Sequence, residues 1–406
     1  MIPFAPPYID DEIVEEVSKV LRSGWITTGP RTKAFEEELA AYCGASQVLC
    51  VSSGTAAMEL ILFAFGIKEG DEVIVPSYTY CATAHVVKKF GAIPVMVDIM
   101  EDEASMDPEG MLEAVTERTK AVIPVDVGGW PAPQERIMDR MASDRTLQLF
   151  TPETPLQESL GRPLVISDAA HSLGACLASG KVGSVSDVTA FSFHAVKNLT
   201  TAEGGALAIR FPRGGPDPET LYSRLNTISL HGQTKDALNK FQRGGWRYDV
   251  KELGLKCNMT DIQAAIGSVQ LKKYEELLLA RRKWIFHRYN EAFEDLEEVR
   301  TPVMKDEGRT GAYHLYMLRF PVWSKERRDE MIRHLMEAGV SANVHFIPLP
   351  MLSYYRELGY SIDDHPNAFA FYRSELSLPL FYDLSDEQVE QVIAEVRRGV
   401  MQSEDP

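Results

Sequence analysis

The 406-residue chain has no segment approaching 18 uninterrupted apolar residues, so no membrane-spanning helix can be read from it. Cysteine is scarce. Cys43, Cys50, Cys81, Cys176 and Cys257 are scattered, odd in number and without a CxxC pair. This disfavours both a disulfide framework and a Cys-rich zinc site, and it predicts reduced thiols. Cys81 and His85 could share a helix face, but zinc needs further ligands and no partner pair is visible, so no metal is expected. Basic residues are outnumbered: 42 Lys and Arg stand against 59 Asp and Glu, a net charge of −17. That field repels polyphosphate backbones and anionic membrane surfaces, so neither nucleic acid nor membrane is an expected partner. An anionic small ligand would need local donors such as a helix N-terminus. Residues Met1–Pro7 show no basic start followed by an apolar stretch, which predicts a soluble cytoplasmic protein.

The composition is otherwise that of an ordinary globular protein large enough for two domains. Short runs rich in β-branched residues read as buried strands at Val48–Ser53, Glu72–Pro76, Pro94–Ile99, Ala121–Val125, Leu164–Asp168, Val188–Phe193 and Gly205–Arg210. Helices are expected at Thr55–Phe65, Cys81–Phe90 and Pro108–Glu117. The alternation predicts an open, mostly parallel α/β sheet spanning residues 1–260. From Asp261 the pattern changes to a long helix, Ile262 to about Tyr289. A smaller α+β domain over 261–406 is expected after it, with a strand at Val340–Ile347 and a last helix at Ser385–Arg398. Residues of about 130–163 read as a long Pro-rich insertion, which either modifies the rim of the substrate site or a dimer surface or is a solvated loop without a role there.

Three motifs fall where such a sheet holds ligands. Ser52-Ser53-Gly54-Thr55 lies between a strand and a helix, and can be either a plain N-cap or a phosphate cradle. Asp168, in Ser167-Asp168-Ala169-Ala170-His171, ends a buried strand, where a carboxylate calls for a cation such as a protonated heterocycle nitrogen. Lys197, in Phe191-Ser192-Phe193-His194-Ala195-Val196-Lys197, follows the next strand among aromatics and small residues, where a partly desolvated amine can form a Schiff base. Phosphate cradle, acid and lysine together meet the needs of pyridoxal 5′-phosphate, and Tyr80 could stack on its ring.

At this point the chain resembles the DegT/DnrJ/EryC1/StrS family of sugar aminotransferases, pyridoxal-phosphate-dependent transferases of fold type I with a seven-stranded large domain. The matching stretches include SGWITTGP (23–30), SSGTAAMEL (52–60), PSYTYCATA (76–84), SDAAHSLGA (167–175), FSFHAVKNLTTAEGGALAI (191–209), LGLKCNMTDIQAAIG (253–267), YHLYMLRF (313–320), VHFIPLP (344–350) and SLPLF (377–381). The resemblance implies that Lys197 bonds to the cofactor aldehyde, Asp168 meets the pyridine nitrogen and Tyr80 covers the ring. Gly54, Thr55 and Ser192 would hold the phosphate, and His171 would lie beside the ring. It also implies a homodimer with shared active sites, in which Lys256 or Asn258 reaches the neighbouring subunit's phosphate. The chain departs from many members at both of those positions. Trp25, Thr27, Thr28, His231, His314, Tyr316 and His345 are the positions expected near the substrate. The activity implied is transfer of an amino group from L-glutamate to a nucleotide-linked keto-sugar. Alternatives are a sugar dehydratase, against which Lys197 argues, and a non-catalytic regulator, for which no partner surface is visible.

Overall fold

Seven strands fill the central sheet with Val, Ile, Leu and Ala, as burial on both faces requires. In the computed structural model, which describes residues 1–234 and 248–402, they are β1 (Gln47–Val51), β2 (Glu72–Pro76), β3 (Ile93–Val97), β4 (Thr119–Val122) and β5 (Leu164–Asp168). A two-residue ribbon, β6 (Cys176–Leu177) and β7 (Gly180–Lys181), precedes β8 (Val188–Ser192) and β9 (Gly205–Ile209). The sheet order is β1-β9-β8-β5-β4-β2-β3. β9 alone runs against its neighbours; β3, β2, β4, β5 and β8 are parallel. Ile74, Val122, Val165 and Ile166 are fully buried, and each such side chain contributes roughly 1.5–3 kcal/mol.

The register of β5 on β8 pairs Asp168 with Ala190. This brings the last residue of β5 level with the strand that leads to Ser192 and Lys197. The helix Gly54–Phe65 starts at the carboxyl end of β1 and packs against β8 and β9. Its first turn therefore lies on the same sheet edge.

The second half of the chain carries a small ladder, β10 (Tyr316–Arg319) against β11 (Glu375–Leu378). One continuous core links it to the large sheet, running from Val48 and Phe191 through Phe286 and Tyr316 to Leu376 and Val392. The chain's start is drawn into this half: Ile2 donates to the Gly339 carbonyl at 2.7 Å and accepts from the Ser341 amide at 3.1 Å.

Two expectations need correction. The single helix expected over 262–289 is interrupted: Asp261–Lys272 and Ala280–Phe293 flank a π turn at Tyr274–Leu279. There the Leu278 amide reaches the Lys273 carbonyl, and the buried Tyr274 hydroxyl donates to the Leu173 carbonyl at 2.7 Å. A bulge of this kind re-aims a helix without ending it. Val340–Ile347 is not a strand. It is held by single bridges from Val340 to Ile2 and from Asn343 to Ser377, too few for a ladder. The stretch 130–163 folds mostly as helices Gln134–Met141, Asp144–Leu149 and Pro155–Leu160 between β4 and β5. Thr154 and Gln157 donate to the carbonyl of Phe65 at 3.2 and 2.9 Å. That anchors the last of these helices at the far end of Gly54–Phe65, away from the sheet edge that its first turn faces.

Candidate active site

The carboxyl ends of five strands open onto one cavity of about 440 Å³. It is lined by Ser53, Gly54 and Thr55 after β1, Thr79 and Tyr80 after β2, Val125 after β4, Asp168 ending β5, and Ser192 ending β8. An open α/β sheet holds its ligands at this edge. Lys197 and His171, with His314 and His345 from the second half, complete the wall. A larger cleft of about 620 Å³ runs along Glu103, Asp306 and Arg309, but there the arginine is already paired with both acids.

Ser53 is the N-cap of Gly54–Phe65: its Oγ accepts from the Ala56 amide at 3.0 Å. The amides of Gly54 and Thr55 lie in the first turn, where a helix offers no carbonyl partners and its dipole favours an anion. The cap and cradle readings of this motif are thus compatible, with the side chain doing one job and the backbone free for the other. A Cβ at residue 205 would lie 2.3 Å from the carbonyl carbon of Ser53 and 2.4 Å from the nitrogen of Gly54. β9 can pass under the cradle only because residue 205 is glycine.

Asp168 is 6% exposed. Its Oδ2 accepts from the Thr83 hydroxyl at 2.8 Å and its Oδ1 from the Ala170 amide at 3.3 Å. Burial pushes this carboxyl above its usual range, and the Thr83 hydroxyl, the Ala170 amide and the Lys197 charge only partly oppose the shift. Burial likewise lowers the Lys197 amine to about 8, against an opposing pull from Asp168. The cavity therefore holds an acid short of positive charge and an amine that gives up its proton easily.

Three imidazoles complete the polar wall, and burial keeps all of them neutral. His171 and His314 are driven well below the ordinary histidine value, and His345 falls to about 4, with the Lys197 charge adding to burial in each case. His171 accepts the Gly128 amide on Nδ1 at 3.2 Å, so its hydrogen is on Nε2. His314 is the reverse. Asn198 gives its Nδ2 hydrogen to the Ala312 carbonyl at 2.7 Å, which turns its Oδ1 toward Nδ1 of His314 at 2.8 Å.

The structure gathers Gly54, Thr55, Tyr80, Asp168, His171, Ser192, Lys197, His314 and His345 around this cavity. Tyr80 is 61% exposed, leaving its ring open to a flat partner. Tyr316 does not reach the cavity and is a correction. Its ring is buried against Phe286 and Tyr289, and its hydroxyl donates to Asn290 at 2.8 Å. Trp25, Thr27, Thr28, Lys256 and Asn258 form a separate cluster, outside the lining formed by this one chain. The Asn258 amide donates to the Thr28 hydroxyl at 2.6 Å, Thr28 bonds the Met259 carbonyl, and Lys256 meets Asn258. Asp261 locks that cluster by accepting from the amides of Gly29, Arg31 and Thr32. His231, exposed and at φ 65°, also lies outside the lining. Thr83 and Asn198 went unread in the sequence. Their signal was their position, Thr83 one helical turn after Thr79 and Asn198 next to Lys197.

A planar heterocycle with a ring nitrogen, an aldehyde and a phosphate arm fits this set of donors. Free first-turn amides suit the arm, a buried carboxyl the nitrogen, and a lightly held amine the aldehyde. Comparison with known proteins agrees. The DegT/DnrJ/EryC1/StrS aminotransferase family model matches residues 7–152 and 159–397. The spore coat polysaccharide biosynthesis protein SpsC of Bacillus subtilis is 40% identical over 98% of this chain and 96% of its own length. Spr1654 of Streptococcus pneumoniae, described as a sugar aminotransferase, superposes in its PMP form with a TM-score of 0.94 at 42% identity, covering 99% of this chain and 100% of that one. Its PLP form gives 0.93 at 41%, covering 99% of each. PseC of Helicobacter pylori, an aminotransferase involved in the biosynthesis of pseudoaminic acid, gives 0.86 at 26%, covering 99% of each chain. The chain belongs to the DegT/DnrJ/EryC1/StrS aminotransferase family and is a pyridoxal-phosphate-dependent enzyme of fold type I.

Proposed function

We propose that this aminotransferase takes its amino group from L-glutamate and delivers it to a keto-sugar linked to a nucleoside diphosphate, in the making of an amino sugar for a surface polysaccharide or a glycosylated product. The observation that carries the reading is the pairing of Lys197 and Asp168 in one cavity, the first easily deprotonated and the second short of a cation. The sugar acceptor rests on the company the chain keeps, a coat-polysaccharide protein and a pseudoaminic-acid enzyme among its relatives.

Pyridoxal phosphate, when bound, supplies the aldehyde that carries the amine and a ring that draws electrons from the reacting carbon. The chain's residues do the rest. Lys197 would hold the cofactor through its amine, and that amine would move the proton at the reacting carbon as general acid and base. Asp168, braced by Thr83, holds the proton on the ring nitrogen. The amides of Gly54 and Thr55 with the hydroxyl of Ser192 would hold the phosphate, Tyr80 would supply a flat partner for the ring, and the neutral His171 would offer its Nε2 hydrogen. His314 and His345 face the space left for substrate. Lys256 and Asn258, with Trp25, Thr27 and Thr28 beside them, and His231 would serve the neighbouring active site of a homodimer.

The test is incubation of the enzyme and L-glutamate with dTDP-, UDP- and GDP-linked keto-sugars, read by mass spectrometry. One panel member should gain an amino group in place of its carbonyl oxygen, with one 2-oxoglutarate released per product. Glutamate turnover without amination of any keto-sugar would overturn the acceptor half of the reading.

A further inference from the structure

His345 lines the cavity, but its side chain is governed from behind by two residues that nothing in the mechanism uses. Glu375 and Ser377 stand two apart in β11 and so share one face of the strand. Both are fully buried at 0% exposure. That face meets residues 343–345: Asn343 and Ser377 exchange backbone hydrogen bonds of 3.1 and 2.8 Å, and the His345 amide donates to Glu375 Oε2 at 2.9 Å. The side chains then form a line. His345 Nδ1 lies 2.9 Å from Ser377 Oγ, and Ser377 Oγ bonds Glu375 Oε1. Nδ1 is thereby taken, and Nε2 is the atom left for whatever occupies the cavity.

A serine hydroxyl has one hydrogen, so the line can point only one way at a time. With the carboxyl protonated, Oε1–H donates to Ser377, Ser377 donates to Nδ1, and the imidazole hydrogen is on Nε2. Removing one proton from Nε2 reverses every link: the Oε1 hydrogen passes to Ser377, the Ser377 hydrogen passes to Nδ1, and Nε2 is left with a lone pair. We propose that Glu375 and Ser377 are positioning residues that act through His345, a single shared proton deciding whether Nε2 offers the cavity occupant a hydrogen or a lone pair. This deepens the reading of the cavity as the substrate site, and rests on it only for what meets Nε2.

The surroundings favour a reversal near neutrality. Burial raises Glu375 to about 8, with the Ser377 hydroxyl, the His345 amide and the Arg328 charge opposing. Arg328 spends its own donors on the Tyr372 and Glu375 carbonyls and on Asp329. Arg319 pairs with Glu375 across the ladder, but its guanidinium lies over Phe371 and reaches Asp102. Tyr78 donates to the His345 carbonyl, and burial holds that phenol protonated. Phe4 stacks on the imidazole and carries no charge. Across the cavity His171 and His314 are neutral throughout this range. Lys197 titrates within it in the free protein, so the cofactor-loaded enzyme is the form to use.

The experiment is ¹⁵N NMR of histidine-labelled, cofactor-loaded enzyme between pH 6.5 and 9.5, with His345 assigned by its loss in His345→Gln. In the wild type, Nδ1 should pass from unprotonated to protonated, and Nε2 the reverse, as pH rises through about 8. In Glu375→Gln the His345 backbone amide keeps the side-chain oxygen, so the NH2 faces Ser377 and can only donate, and Nε2 should keep its hydrogen over the whole range. Ser377→Ala, which cuts the line, should also abolish the reversal and stands in if the first variant does not fold. A wild-type tautomer that never changes, or a Glu375→Gln enzyme that reverses as the wild type does, would overturn the proposal. Neither result depends on which sugar is aminated, so failure here is separate from failure of the proposed reaction.

Discussion

Two buried aspartates sit at opposite ends of the same pair of strands and are treated differently. Asp187, just before β8, is 0% exposed and receives both nitrogens of Arg162, at 2.7 and 2.6 Å, with the Val165 amide at 3.0 Å. Asp168, at the far end of β5, has a threonine hydroxyl, one long amide bond and no guanidinium. Burying a carboxylate is costly unless a charge pairs with it. The amino end of the sheet meets that cost with an arginine, and the carboxyl end leaves it standing. A site awaiting a cationic ligand looks like the second, and a structural staple like the first.

The comparison can be broken from either end. Lys197→Ala should cost the most, removing anchor and proton carrier together. Turnover should fall by about 10⁴-fold or more, while the melting temperature of the cofactor-free protein holds or rises. Arg162→Met should do the opposite, leaving Asp187 buried and unpaired. We expect a loss of roughly 3–5 kcal/mol in urea unfolding, with full turnover in whatever remains folded. Asp168→Asn should slow turnover by about 10²–10³-fold without destabilising the fold, since it removes an uncompensated carboxyl. If Asp168→Asn proves as destabilising as Arg162→Met, the contrast between the two ends fails.

A pH measurement sharpens the same point. The folded-state pKa of Lys197, about 8, lies below its ordinary 10.5. Between those values the unfolded chain holds a proton that the folded one has lost, so stability rises with pH across the window. Below 8 the cost of burying the charged amine is felt in full. Unfolding of cofactor-free wild type and Lys197→Met should therefore converge as pH climbs from 8 to 10.5. A gap that widens would contradict the assignment. The smallest effect is expected at Tyr80: Tyr80→Ala should weaken cofactor binding by about 1 kcal/mol, and Tyr80→Phe hardly at all, as a stacking contact requires.

Much of this was legible in the sequence because it depends on short-range order. β2 and β5 begin and end where apolar runs do, and Asp168 and Lys197 follow strands whose carboxyl ends a parallel sheet must gather. What stayed hidden depends on contacts between distant segments. Thr83 reaches Asp168 across 85 residues, and Glu375 reaches His345 across 30, from a strand that no sequence pattern had marked. Tyr316 was placed near the substrate by likeness to the family, and its position in β10 instead turns its ring into the core against Phe286 and Tyr289. The π turn at Tyr274–Leu279 is set by the docking of a buried tyrosine on Leu173, which helix propensity does not record.

The most direct test concerns the amine of Lys197. Treating the cofactor-loaded enzyme with borohydride would fix the bond between amine and aldehyde, and peptide mapping would locate the added mass. The account predicts a single labelled peptide, carrying the modification at Lys197. A label on any other lysine, or none at all on enzyme that still transfers amino groups, would contradict it.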